Sequence, residues 1–253
     1  MMPASYIGEI QKISQRLLAS RHAVVLTGAG ISTPSGIPDF RSQRTGLWVK
    51  NDPVQVASLT AFHHQPEVFF NWLRPLAEKI WQAQPNPAHT ALAEMEKAGM
   101  VKAVITQNID GLHQKAGSKQ VIEVHGSLRT LSCLACHKVY PSERFMEPFI
   151  AHSQIPRCPS CKNILKPDIV LYEEGLSAEV WSRAFDNSER ADVMLVVGSS
   201  LEVMPAGRLP WTALDTGAEV IVINLSPTPI DRQASLIVNA DAAVILPQIA
   251  EYH

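Results

Sequence analysis

Two rhythms of apolar residues run along this chain. Ile7, Ile10, Ile13, Leu17 and Leu18 recur at helical spacing, with Glu9, Lys12 and Arg16 between them, which predicts an amphipathic helix. Ala23-Val24-Val25-Leu26 then runs without a polar break and predicts a buried strand. Similar runs follow at Val101–Thr106, Val121–Val124, Asp192–Val197 and Glu219–Ile223. Ala242-Ala243-Val244-Ile245-Leu246 predicts a closing strand, and Pro87–Ala98 and Ala178–Glu189 read as helices. Near-continuous apolar strands separated by helices predict an α/β fold, a parallel sheet covered on both faces. Ligands of such sheets collect beyond the carboxyl ends of the strands. Polar clusters stand at those ends: Gly28-Ala29-Gly30, Gln107-Asn108-Ile109-Asp110, His125-Gly126, Gly198-Ser199-Ser200 and Asn224-Leu225-Ser226. Five strands emptying polar groups at one edge define a single site.

The first cluster narrows the chemistry. A strand running into Gly-x-Gly brings bare backbone N–H groups against a phosphate. A dinucleotide-binding dehydrogenase needs a third glycine at the sixth position, where Thr33 stands. Its ribose carboxylate is missing too, because Asp52 follows no strand-like run. The loop is a nucleotide-binding loop of another kind, and hydride transfer is disfavoured.

Composition removes other classes. The 253 residues carry a formal net charge of −2, which offers no basic field to nucleic acid or anionic lipid and disfavours a nucleic-acid-binding zinc ribbon. Apolar runs are strand-sized, far short of a membrane span, and the N-terminal helix lacks the unbroken apolar core of a signal peptide. A cytoplasmic protein is expected.

The four cysteines form two pairs, Cys133-x-x-Cys136 and Cys158-x-x-Cys161, with 21 residues between the pairs. In a reducing compartment disulfides are a poor reading. Two such knuckles suit one tetrahedral zinc, and four thiolates close its shell, so the ion is expected to be structural.

Several longer motifs resemble the sirtuin family, of the bacterial and archaeal type. They are Gly28–Ser32 with Ser35–Ser42 and Gly46-Leu47-Trp48, Thr106–His113 with Ala116-Gly117, His125-Gly126-Ser127, the paired cysteines, Pro167–Val170 and Gly198–Leu201. The resemblance runs from about Ala23 to Ile245. It implies an NAD-dependent protein lysine deacylase that gives nicotinamide, O-acyl-ADP-ribose and free lysine; mono-ADP-ribosyl transfer and removal of longer neutral chains are the alternatives. It also implies a Rossmann-like, doubly wound large domain (residues 1–40, 86–127 and 166–253). A small domain would combine a helical insertion (41–85) with a zinc module (128–165). Acyl-lysine proteins are the implied partners, and a monomer is expected.

The matching residues acquire roles through that resemblance. Gly28, Ala29 and Gly30 approach the pyrophosphate, and Thr33 adds a hydroxyl. Gly198, Ser199 and Ser200 resemble further phosphate and ribose contacts, Asn224 and Ser226 the adenosine-ribose edge, and Ala242 the adenine contact. Asp39, Phe40 and Arg41 lie on the loop over the nicotinamide ribose, where Phe40 shields the reactive carbon. Gln107, Asn108, Ile109 and Asp110 match the nicotinamide side, Asn108 and Asp110 meeting its carboxamide. In the implied chemistry a ribose hydroxyl attacks an alkylimidate and loses a proton. Of nine histidines, His125 suits that base, because it ends an apolar strand at the ligand edge and precedes Gly126. His63, His64, His137 and His152 read as surface groups, and His89 and His113 as packing or hydrogen-bonding residues.

Two departures bear on substrate. Val170, Leu171 and Tyr172 match the stretch that pairs with the substrate backbone, but Glu173 replaces the family's glycine and is expected to lose its conformational freedom. Acid-selective branches carry Tyr-x-x-Arg in the helical insertion, where this chain has Phe70 and Leu73, with Arg74 displaced by one. Phe62, Phe69, Phe70, Trp72 and Leu76 read as the insertion's apolar face.

Overall fold

The computed structural model describes residues 6–39 and 52–252. Nine strands are found there: β1 Ala23–Thr27, β2 Ala103–Thr106, β3 Val121–Glu123, β4 Gly126–Cys133, β5 Val139–Pro141, β6 Leu165–Ile169, β7 Val193–Val197, β8 Glu219–Ile223 and β9 Leu236–Val238. The α-helices are α1 Ile7–Ala19, α2 Pro53–Val56, α3 Leu59–His64, α4 Pro66–Gln82, α5 Pro87–Lys97, α6 Leu112–Ala116, α7 Glu143–His152, α8 Ala178–Arg190, α9 Leu209–Asp215 and α10 Ala242–Glu251. Among the described residues no helix is long and apolar enough to cross a membrane.

Six strands form one sheet in the order β3-β2-β1-β7-β8-β9, every pairing parallel. Within this sheet the order runs 3-2-1-4-5-6, the Rossmann-like doubly wound arrangement. Alternate side chains feed opposite cores, as the period of two requires. Val25, Val104, Leu195 and Ile221 pack against α1, α5 and α10. Val24, Leu26, Val196 and Val222 pack against α8 and α9. A three-stranded antiparallel sheet, β5-β4-β6, stands apart from it. A separate core joins Phe62 of α3, Phe69, Phe70 and Leu73 of α4, and Met146 and Phe149 of α7 to Leu128, Ile169 and Leu171.

One predicted element changes type. The closing run Ala242–Leu246 is the start of α10, and the last strand is β9, four residues earlier. Asp241 caps the helix by accepting from the Ala243 N–H at 2.8 Å. The apolar pattern then continues at Ile245, Leu246, Ile249 and Ala250, all buried, which is helical spacing.

Candidate active site

Strand order reverses direction between β1 and β7, and here the backbone is tightest. A Cβ on Gly30 would sit 2.8 Å from the Gly198 Cα, and one on Gly198, at φ +58°, only 2.4 Å from the Ile31 nitrogen. Only glycines let the two strand tips touch. The Gly28 and Gly30 N–H groups are spent on the Val197 and Gly198 carbonyls, at 3.1 and 2.8 Å. The glycines, expected to open amides toward a phosphate, therefore first lock the switch point together. Thr33 likewise returns its hydroxyl to the Gly30 carbonyl at 3.0 Å.

A buried polar network lies beside this contact. Asn108 donates its Nδ2 to the Gly28 carbonyl at 3.0 Å and to the Ser32 hydroxyl at 3.1 Å. Ser32 donates to Asp110 Oδ2 at 2.7 Å, and the Leu112 N–H supports Oδ1 at 2.9 Å. Burial pushes the Asp110 carboxyl above the usual carboxylate range, against those hydrogen bonds. His89 faces the same hydroxyl at 3.5 Å through Nε2, while its Nδ1 accepts from the Asn86 N–H at 3.3 Å. An N–H can only donate, so His89 is neutral with its proton on Nε2. His113 packs against it at 4.9 Å between ring centroids and bonds Thr27 Oγ1 at 3.0 Å.

His125 follows β3 and is half-buried. Its Nδ1 lies 2.9 Å from the Gln107 carbonyl. A carbonyl only accepts, so Nδ1 carries a proton, and Nε2 is the position whose lone pair becomes basic when the ring is neutral. Gln107 in turn donates Nε2 to the Ser199 hydroxyl at 2.9 Å, which ties the ends of β2, β3 and β7 together. The His125 carbonyl accepts from the Val170 N–H at 2.9 Å. The next residue, Gly126 at φ +75°, presses on β6 so closely that a Cβ would meet the Asp168 carbonyl oxygen at 2.1 Å.

At the far end of β4 the four cysteine Sγ atoms lie within 4.8 Å of one another, with Cys133–Cys161 at 3.4 Å and Cys136–Cys158 at 3.6 Å. A tetrahedral zinc with 2.3 Å bonds needs sulfurs about 3.8 Å apart, so the donor set fits. The two knuckles are built alike. Cys133 and Cys158 donate their N–H to the carbonyls of Lys138 and Asn163, and the fourth residue after each cysteine, His137 or Lys162, has positive φ.

Comparison with known proteins decides the family. The Sir2 family model matches residues 28–205. An "NAD-dependent protein deacylase 2" of Archaeoglobus fulgidus is 46% identical over 244 residues, which span 96% of this chain and 95% of that protein. The chain belongs to the Sir2 family. A Geobacillus kaustophilus "NAD-dependent protein deacetylase 1" is 43% identical, over 90% of this chain and 91% of its own. Among solved structures, a Sir2 enzyme with deacetylated p53 peptide and 3'-O-acetyl ADP-ribose superimposes with a TM-score of 0.90 at 40% identity. It covers 96% of this chain and 97% of its own. A Sir2 complex with p53 peptide and NAD+ gives 0.84 at 38% identity, covering 99% and 98%.

Within this Sir2 fold the expected site residues fall into two groups. Gly28, Ala29, Gly30, Gln107, Asn108, Ile109, Asp110, His125, Gly198, Ser199 and Ser200 gather at the carboxyl ends of β1, β2, β3 and β7. Asn224 and Ser226 lie beyond β8, where Asn224 Nδ2 donates to the Ser226 carbonyl at 2.7 Å, and Ala242 opens α10. Asp39 ends the first described segment, and Phe40 and Arg41 lie outside the described residues. Val170, Leu171 and Tyr172 follow β6, and Tyr172 pairs with Ser58 ahead of α3. Glu173 keeps the left-handed conformation it was expected to lose, at φ +75°. Ser32 and His89 join the network without having been singled out as site residues. Their available signal was Asn86-Pro87 with His89 three residues after Asn86, a capping box that points the first turn of α5 at the ligand edge.

Proposed function

We propose that this Sir2-family chain is an NAD-dependent protein lysine deacetylase. It releases nicotinamide, passes the acyl group to ADP-ribose and leaves free lysine. The observation that carries the reading is the Nδ1 hydrogen bond of His125 to the Gln107 carbonyl, one residue from Asn108 and three from Asp110. The names of the relatives and the peptide and NAD complexes of similar structures support it.

NAD is consumed as a substrate and supplies the ADP-ribosyl group that takes the acyl oxygen. With the Asn108 Nδ2 hydrogens given to Gly28 and Ser32, the Asn108 Oδ1 and the Asp110 carboxyl offer oxygens that accept from a carboxamide N–H. Ser199 and Ser200 face the phosphates, with Asn224, Ser226 and Ala242 at the adenosine end. His125, held through Nδ1, takes the proton of a ribose hydroxyl at Nε2. The acyl-lysine peptide docks along Val170–Tyr172 through side-chain contacts and the Val170 carbonyl, because the N–H groups of all three residues are given to His125, Glu174 and Ala57. The cysteines hold one structural zinc whose closed shell takes no substrate.

Acyl choice follows from burial. Phe70 and Leu73 are buried with Ile169 and Leu171 in one apolar cluster, next to the peptide stretch. A succinyl carboxylate there lacks a bidentate partner and pays for its lost hydration. Arg74 lines a hollow with the carboxylate of Glu67, Asn71, Ser153, Phe70, Phe149 and Ile155. With NAD and acyl-lysine peptides, mass spectrometry should find free nicotinamide and O-acetyl-ADP-ribose. The kcat/KM for acetyl-lysine should exceed that for succinyl-lysine by at least about tenfold, worth roughly 1.4 kcal/mol. NADH or an ADP-ribosylated peptide as the main product contradicts the reaction, and equal desuccinylation contradicts the acyl assignment.

A further inference from the structure

The consecutive carboxylates Glu173 and Glu174 turn to different partners. Glu174 Oε2 accepts from the Leu171 N–H at 2.9 Å and pairs at 2.9 Å with the Lys166 ammonium, which also donates to the Ile169 carbonyl. Glu173, with its φ of +75°, reverses the backbone and reaches the opposite way. Its Oε2 accepts from the Thr60 N–H at 2.9 Å, across 113 residues of chain.

Thr60 is the second residue of α3, and a helix start leaves its first N–H groups without intrahelical partners. Leu59 donates to the Tyr172 carbonyl at 3.0 Å, Thr60 to Glu173, and Ala61 to the Ser58 hydroxyl at 3.0 Å. Two of these three N–H groups are thus capped by the loop after β6. Tyr172 completes the join by donating its own N–H to the Ala57 carbonyl at 3.0 Å. Thr60, first through its side chain and then its backbone N–H, holds the Glu173 carboxyl below the usual carboxylate range.

A non-glycine residue in the left-handed region persists where its surroundings hold it there, and such residues concentrate at functional sites. We infer that Glu173 is a positioning residue whose carboxylate fastens the peptide-receiving edge Val170–Tyr172 to the start of α3. This inference rests on the deacetylase reading above. A segment already fastened in place spends less binding energy on being ordered when the peptide docks on it.

The test compares the wild type with Glu173→Gly and Glu173→Gln. Glycine accepts φ +75° without strain, so the first variant removes the fastening and spares the fold. Amide exchange at Thr60 should rise about tenfold in Glu173→Gly. The KM for an acetyl-lysine peptide should rise about fivefold, with kcat and the KM for NAD held within about twofold. Glutamine keeps an acceptor oxygen and should return both readouts to within about twofold of the wild type. Unchanged Thr60 exchange in Glu173→Gly overturns the fastening, and raised exchange with unchanged peptide KM overturns its role in positioning. Glutamine as poor as glycine overturns it as well, because the charge itself would then attract the peptide. Wild-type protein that turns over no acyl peptide, while Thr60 exchange responds as expected, sinks the deacetylase reading and the peptide role together.

Discussion

Strand β4 begins beside His125 and ends at Cys133, so one strand touches both the sheet edge and the cysteine cluster. Because β4 bulges between Gly126 and Leu131, those ends face only the four-residue span from Leu165 to Ile169 on β6, about 13 Å of strand. The two regions keep their shape by different means. Behind the sheet edge lie two cores of buried side chains on α1, α5, α8, α9 and α10. Around the cysteines, among the described residues, the buried cluster is Leu131, Cys133, Cys158 and Leu165, with Cys136, Tyr140, Phe145 and Cys161 partly buried against it. So small a core does not by itself offset the entropy of ordering two knuckles, and a zinc held by the four cysteines would supply what burial lacks. The sheet edge depends on that order, because β6 pairs with β4 from Cys133↔Leu165 to Gly126↔Ile169, next to His125 and Val170.

Metal removal breaks the comparison most sharply. Cys133→Ser, Cys158→Ser or a strong chelator should unfold the knuckles while the six-stranded sheet keeps its amide protection, since metal binding in such modules is worth about 10 kcal/mol or more. Hydrogen exchange with metal analysis checks this. A fully protected module with less than about one zinc per four thiolates contradicts it.

Acid acts on the sheet edge through two buried histidines. Burial pulls His89 from 6.5 down to about 4, and burial together with His89 pulls His113 to about 3. Both stay neutral in the fold, so below pH 6.5 the unfolded chain binds more protons. Their contribution is complete above that pH and is lost as pH falls toward 4, by up to about 1.4 kcal/mol per unit for each histidine. Asp110, raised by burial, opposes them by gaining as it takes a proton, but one carboxyl stands against two imidazoles. Urea unfolding at pH 7 and pH 5 should show the fall, and His113→Gln should flatten it. An unchanged slope in that variant contradicts the assignment.

How much of this was legible in the sequence differs between the regions. The cysteine spacing carried its own geometry, because four ligands in two short knuckles leave little else to arrange. The polar clusters after Thr27, Thr106, Val124 and Val197 were legible because parallel strands deliver their ends to one edge. The final strand was not. Leu236-Ile237-Val238 is shorter than the apolar run in α10, and the Asp241 cap and the helical spacing that continues to Ala250 tell the helix from a strand. Nor did the sequence reveal the partner of Glu173, since a helix start 113 residues away supplies it. Ser32 and His89 were hidden for the same reason: their roles exist only once α5 packs against the β1 loop.

The claim at the centre of the account is that His125 serves the acyl-transfer half of the reaction at an edge that binds NAD without it. It is tested most directly by His125→Ala, followed in parallel for acetyl-lysine turnover and for NAD binding. The account predicts a loss of about 10² to 10⁴ in turnover, the worth of a general base, with NAD bound as tightly as before. Turnover near the wild-type rate in a variant of unchanged structure contradicts it.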